Sequence, residues 1–130
     1  MKIIHRHPLW GAEVARQAGL HIDVINMILY HHEKYDGSGY PYGLKGEEIT
    51  LEARIVTIAD IFDSLRTRRP YRAACTNNQV REIMREMSEA FFDPHLMELF
   101  QAIAEKVLDE DARRAATHHR DLVGQGARHV

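Results

Sequence analysis

Apolar residues recur at helical spacing along nearly the whole chain, and strict two-residue alternation never lasts for a strand length. Pro8 suits a first helical turn, after which Trp10, Val14 and Ala18 share a face. Gly19 is placed to end that helix. Asp23 reads as the N-cap of a second helix, with Ile25, Ile28 and Leu29 facing inward and His31 and His32 at its C-terminal end. A glycine-rich loop covers Asp36 to Thr50. Thr50 then caps a long third helix whose apolar face is Ile55, Ile58, Ala59, Phe62 and Leu65, with Glu52 favourable in its first turn. Arg66, Arg68 and Arg69 crowd its end and Pro70 stops it. Asn77 or Asn78 opens a fourth helix bearing Val80, Ile83, Met84 and Met87. Asp93-Pro94 opens a fifth bearing Leu96, Leu99, Phe100, Ile103 and Val107. The pattern predicts an all-α helical bundle over 1–108. The segment 109–130 reads as a polar tail, a frayed helix ending in a Gly124-Gln125-Gly126 turn and then disorder.

Composition narrows the class. The chain has 130 residues, 45% hydrophobic and 28% charged, as expected of one soluble globular domain. A net charge of -2 gives no footprint for a nucleic-acid polymer, which needs clustered positive charge, and leaves room for local basic patches. Cys75 is the one cysteine, so an internal disulfide is excluded, and it reads as a small semi-buried side chain. No apolar run approaches the roughly 18 residues of a membrane helix. No signal peptide precedes the first helix, so a cytoplasmic protein, or the cytoplasmic piece of a larger one, is expected.

The candidate chemistry lies between His5 and Arg72. Imidazoles are common transition-metal ligands, and His31 and His32 are followed at once by an acid and a glycine turn. Neighbours on a helix point about 100° apart, so the pair serves one metal only near the helix end, and otherwise serves two. Asp60 and Asp63 are three residues apart and interrupt an apolar stretch. A carboxylate near an inward stripe needs a cation or an ion pair, and Asp63 equally suits holding a ligand histidine in one tautomer. Arg66, Arg68, Arg69 and Arg72 read either as a helix end favoured by its dipole or as a phosphate clamp. Metal, carboxylate and arginine together describe metal-assisted phosphodiester hydrolysis.

Taken in order, these stretches resemble the HD-GYP family of HD phosphohydrolases. They are His7-Pro8-Leu9-Trp10-Gly11, His31-His32-Glu33, Asp36-Gly37-Ser38-Gly39-Tyr40-Pro41, Gly43-Leu44-Lys45-Gly46, Ala53-Arg54-Ile55, Ile58 to Leu65, Arg69-Pro70-Tyr71-Arg72 and Phe92-Asp93-Pro94. The resemblance implies an all-helical core and metal-dependent hydrolysis of cyclic di-GMP to pGpG or GMP. It implies divalent metals, usually iron or manganese, held by His7, His31, His32 and Asp60. It implies substrate contacts at Arg69 and Arg72, and a Gly39-Tyr40-Pro41 loop at the substrate rim that meets GGDEF-domain partners.

The family's adjacent His-Asp dyad lies upstream of the histidine motif, and this chain has no His-Asp dipeptide. The expectation is therefore a partial HD-GYP domain with one weakly held metal at most. Self-association, or a complementing chain, would cover the apolar surface left open. A non-catalytic module that binds cyclic di-GMP or a GGDEF partner, and an inactive remnant, are the competing expectations.

Overall fold

The computed structural model describes residues 3–127, with side chains described from 5 to 124. Five α-helices follow a short 3-10 turn at Ile3–Arg6: α1 (His7–Gln17), α2 (Ile22–Tyr30), α3 (Leu51–Arg66), α4 (Asn77–Ser88) and α5 (Pro94–Ala127). A second 3-10 turn, Gly46–Glu48, lies in the loop before α3. Among the described residues no strand forms, and the expected all-α class is the observed one. The chain divides into two compact units, Met1–Met97 and Glu98–Val130.

The first helix packs through small residues. Pro8, Ala12 and Ala15 are its buried positions, and Ala12 and Ala15 form a cluster with Ile25 and Leu29 of α2. At Gly11 an added Cβ would lie 2.9 Å from Ile28 Cγ2, so glycine permits the close crossing. On the face that Trp10 and Val14 share, the two are 54% and 69% exposed. Close helix contact favours the side without bulk, which turns the large residues outward. The helix ends as its sequence indicates. Gly19 has φ +74°, its N–H donates to Arg16 O, and Leu20 N–H donates to Ala15 O, which together close a Schellman cap.

The start signals are partly displaced. The cap of α2 is His21, whose Nδ1 accepts the N–H of Asp23 at 3.1 Å, so Asp23 lies inside the first turn. The cap of α4 is Thr76, one residue before the expected asparagines, in a reciprocal capping box with Gln79. Thr50 occupies the cap position of α3, but its side chain makes no cap hydrogen bond. Asp93 caps α5 as expected, its Oδ1 accepting from His95 N–H at 2.9 Å.

Helix α3 buries Ala53, Thr57, Ile58 and Phe62, whereas Ile55 and Ala59 face solvent. The buried stripe is therefore rotated from the one the apolar residues suggested. It includes a threonine because the Thr57 hydroxyl has carbonyl partners at His31 and Ala53, each at 2.9 Å. Within α5, the Gly124-Gln125-Gly126 segment is helical rather than a turn. Glycine in a helix costs about 1 kcal/mol relative to alanine, which penalises the helix without ending it. The disorder expected at the far C-terminus falls on 128–130, outside the described residues.

Candidate metal and phosphate site

The two histidines sit where α2 runs out. His31 is the C-cap residue, and its backbone N–H still donates to Met27 O. The imidazoles do not diverge as they would inside a helix, because their ring centroids are 3.9 Å apart. His31 Nδ1 lies 3.1 Å from Met27 O and 2.9 Å from Ile28 O. Both partners are carbonyls and can only accept, so Nδ1 carries a proton and Nε2 is the ring nitrogen left outside these bonds. Thr57 holds the same turn from the α3 side through the His31 carbonyl.

Burial lowers the pKa of His32, and the neighbouring His31, His7 and Lys34 lower it further against an opposing pull from Asp60. His32 is therefore biased towards the neutral imidazole, the form that binds metal. His7 is the exposed first residue of α1. Asp60 is exposed on α3, not pressed into the core, so the expected penalty of a buried carboxylate does not arise. Asp60 and His31 line one open cavity of about 320 Å³ with Val24, Met27, Ile28 and Val56.

Other candidates lie differently. Asp63 is exposed, and among the described residues its carboxylate makes no hydrogen bond to a histidine. Arg69 and Arg72 close a tight turn with reciprocal backbone hydrogen bonds of 2.8 and 3.2 Å. The Arg69 side chain is exposed. The Arg72 guanidinium is occupied by its own chain, donating to Ser64 O at 3.0 Å, Ala73 O at 3.3 Å and Cys75 Sγ at 3.2 Å. Tyr71, at the tip, is 84% exposed.

The glycine loop is shaped by contacts the sequence reading did not assign. Glu33 is only 1% exposed, and its carboxylate accepts the N–H groups of Tyr42 and Leu44. At Gly39 an added Cβ would lie 2.4 to 2.7 Å from His32 O, Lys34 N and Glu33 Cα, all backbone atoms. Only glycine allows that approach, and it lets Tyr40 N–H donate to His32 O at 3.2 Å. The Tyr40–Pro41 peptide is cis, and Pro41 is half-buried. Asp36 closes the turn by accepting from the Ser38 N–H and hydroxyl, which hold its carboxyl below the usual range. Glu33 and Thr57 were missed because each sits in a stretch that also reads as motif or apolar face.

The donors suit a divalent transition ion in kind: the His31 Nε2 left outside the carbonyl bonds of its ring, a second imidazole biased to neutrality, and a carboxylate on the cavity His31 lines. Among the described residues no three such groups form a ready-made cluster.

A family model described as HD domain matches residues 1–96. The chain belongs to the HD-domain family. This HD domain is 44% identical over 100 residues to the cyclic di-GMP phosphodiesterase response regulator RpfG of Xanthomonas campestris, covering 75% of this chain and 26% of that protein. It is 45% identical over 93 residues to a 3'3'-cGAMP-specific phosphodiesterase 3 of Vibrio cholerae, covering 72% of this chain and 20% of that protein. Its fold resembles the crystal structure of a cyclic GMP-AMP specific phosphodiesterase of V. cholerae, with a TM-score of 0.61 and 29% identity over 73% of this chain and 22% of that one. The chain thus spans about a quarter or less of the relatives it matches. No helix among the described residues is long and apolar enough to cross a membrane.

Proposed function

We propose that this HD domain binds a divalent metal, iron or manganese, through His7, His31, His32 and Asp60, and acts on the phosphodiester bonds of cyclic di-GMP. The observation that carries the reading is the pair of imidazoles at the end of α2, 3.9 Å apart, with Asp60 of α3 on the cavity that His31 also lines. The names of the relatives support a cyclic dinucleotide as substrate.

In this reading each residue has a defined task. The His31 tie to Met27 and Ile28 presents Nε2, and the Asp60 carboxylate offsets cationic charge from the cavity wall. The chemistry such an ion supplies when bound is polarisation of a phosphoryl oxygen and a lowered pKa for water. The exposed Arg69 guanidinium meets substrate phosphate. Arg72, although assigned to substrate by resemblance, contributes chiefly by bracing the turn that carries Arg69.

The reading extends to a cytoplasmic location and a domain over 1–108 with 109–130 as a polar extension. It includes a GGDEF-domain partner at the Gly39-Tyr40-Pro41 loop, and a second copy or complementing chain over the exposed Trp10 and Val14. A second reading, nucleotide binding without turnover, is favoured by the lack of a three-donor cluster among the described residues.

The test is anaerobic loading with ferrous iron or manganese, addition of cyclic di-GMP and separation of products. Formation of pGpG or GMP that is lost in His32→Ala and Asp60→Ala supports the enzyme. Retained binding without product supports the second reading. Product formation unchanged in both variants overturns the site.

A further inference from the structure

The geometry points to Tyr40 as a positioning residue for His32: its ring, held between the imidazoles of His5 and His32, fixes the orientation in which His32 meets a divalent ion. This inference rests on the metal reading above.

Four rings form a continuous pile. His5 and Tyr40 are 4.2 Å apart and 17° from parallel. Tyr40 and His32 are 4.9 Å apart at 20°, and His32 and His31 are 3.9 Å apart at 42°. His32 thus has the Tyr40 ring stacked on it and the tilted His31 ring against it.

The need for such a cover follows from torsional freedom. The last torsion of a histidine side chain is soft, so a ligand imidazole is usually oriented by a hydrogen bond at its second nitrogen. His31 has that device in its two carbonyl partners. Among the described residues the His32 ring makes no hydrogen bond, and stacking is what restrains it. The stacked Tyr40 ring lets the imidazole slide in its plane but resists tilting.

Tyr40 is itself fixed independently of the stack. Its N–H donates to His32 O, and Gly39 lies flat against the His32–Lys34 backbone. The outer face of Tyr40 is closed by His5, from the 3-10 turn before α1. His5 thereby acts as a backstop two residues from His7, not as a ligand of its own.

The experiment uses cobalt(II) as the probe, read by its visible d–d absorption, together with NMR of the metal-free chain. Wild type, Tyr40→Phe, Tyr40→Leu, His5→Ala and His32→Ala are compared, with thermal melts to check that each folds. Tyr40→Phe keeps a stacking ring and is expected to bind cobalt like wild type with the same spectrum. Tyr40→Leu is expected to bind about tenfold more weakly with an altered spectrum. His5→Ala is expected to shift in the same direction by less, and it carries the test if Tyr40→Leu does not fold. In the metal-free chain the His32 ring protons are expected to show ring-current shifts in wild type and Tyr40→Phe that shrink in Tyr40→Leu to the part His31 supplies. Wild-type cobalt affinity and spectrum in folded Tyr40→Leu would overturn the inference, as would His32 resonances that ignore that substitution. If those resonances respond but wild type binds no cobalt, the stack stands while the metal reading fails and takes the positioning role with it.

Discussion

Glu33 holds the backbone of Tyr42: its Oε1 accepts the Tyr42 N–H at 2.7 Å, while Oε2 accepts that of Leu44 at 2.9 Å. The residue directly after the histidine pair therefore fixes the far side of the glycine loop. Glutamine offers one acceptor and one amine in place of two acceptors, so Glu33→Gln leaves an N–H facing an N–H. The expected loss is about 1–3 kcal/mol of stability, the cost of an unsatisfied buried group. Amide hydrogen exchange should quicken at Tyr42 or Leu44, while the amides of the α1–α2 cluster stay protected. Unchanged exchange at both positions would remove Glu33 as the loop's anchor.

Arg54 of α3 and Asp93 form an ion pair in which both side chains are largely withdrawn from solvent. Burial alone would raise the Asp93 pKa, but Arg54 and the N–H groups of Leu96 and His95 together pull it below the usual value. A carboxyl with a depressed folded pKa stabilises the fold above its unfolded pKa of about 3.9, and that contribution is lost as pH falls through the folded value. Urea midpoints should therefore decline below about pH 4 in wild type, with a shallower decline in Asp93→Asn over the same window. At neutral pH that variant is expected to lose about 3 kcal/mol, since it leaves Arg54 without its partner.

The two turn arginines should separate cleanly. Arg69→Ala removes an exposed guanidinium and is expected to change stability by less than about 0.5 kcal/mol while weakening cyclic di-GMP binding. Arg72→Ala removes the donor to Ser64, Ala73 and Cys75 and is expected to cost about 1–3 kcal/mol. Denaturant melts beside a nucleotide titration distinguish the two, and equal stability losses would contradict these separate roles.

Much of this domain was legible in its sequence, for reasons that differ by residue. Five helices followed from apolar spacing, and Gly19 and Asp93 marked real ends because each supplies backbone chemistry that few residues provide. The buried side of α1 was not legible, because Trp10 and Val14 are more hydrophobic than Ala12 and Ala15, whereas close packing favours the small side chains. The face of α3 was misread because Thr57 is polar, yet its hydroxyl finds carbonyl partners inside. The histidines and Asp60 stood out by residue type. The ring stack on His32 did not, since His5, Tyr40 and His32 come from three segments that only folding brings together.

The central claim is that His7, His31, His32 and Asp60 serve one ion. Its most direct test is a manganese(II) titration of the metal-free chain, following free manganese by electron paramagnetic resonance. Wild type is expected to bind, and binding is expected to weaken about tenfold or more in each of the four alanine variants. Wild-type affinity in His32→Ala and Asp60→Ala would contradict it.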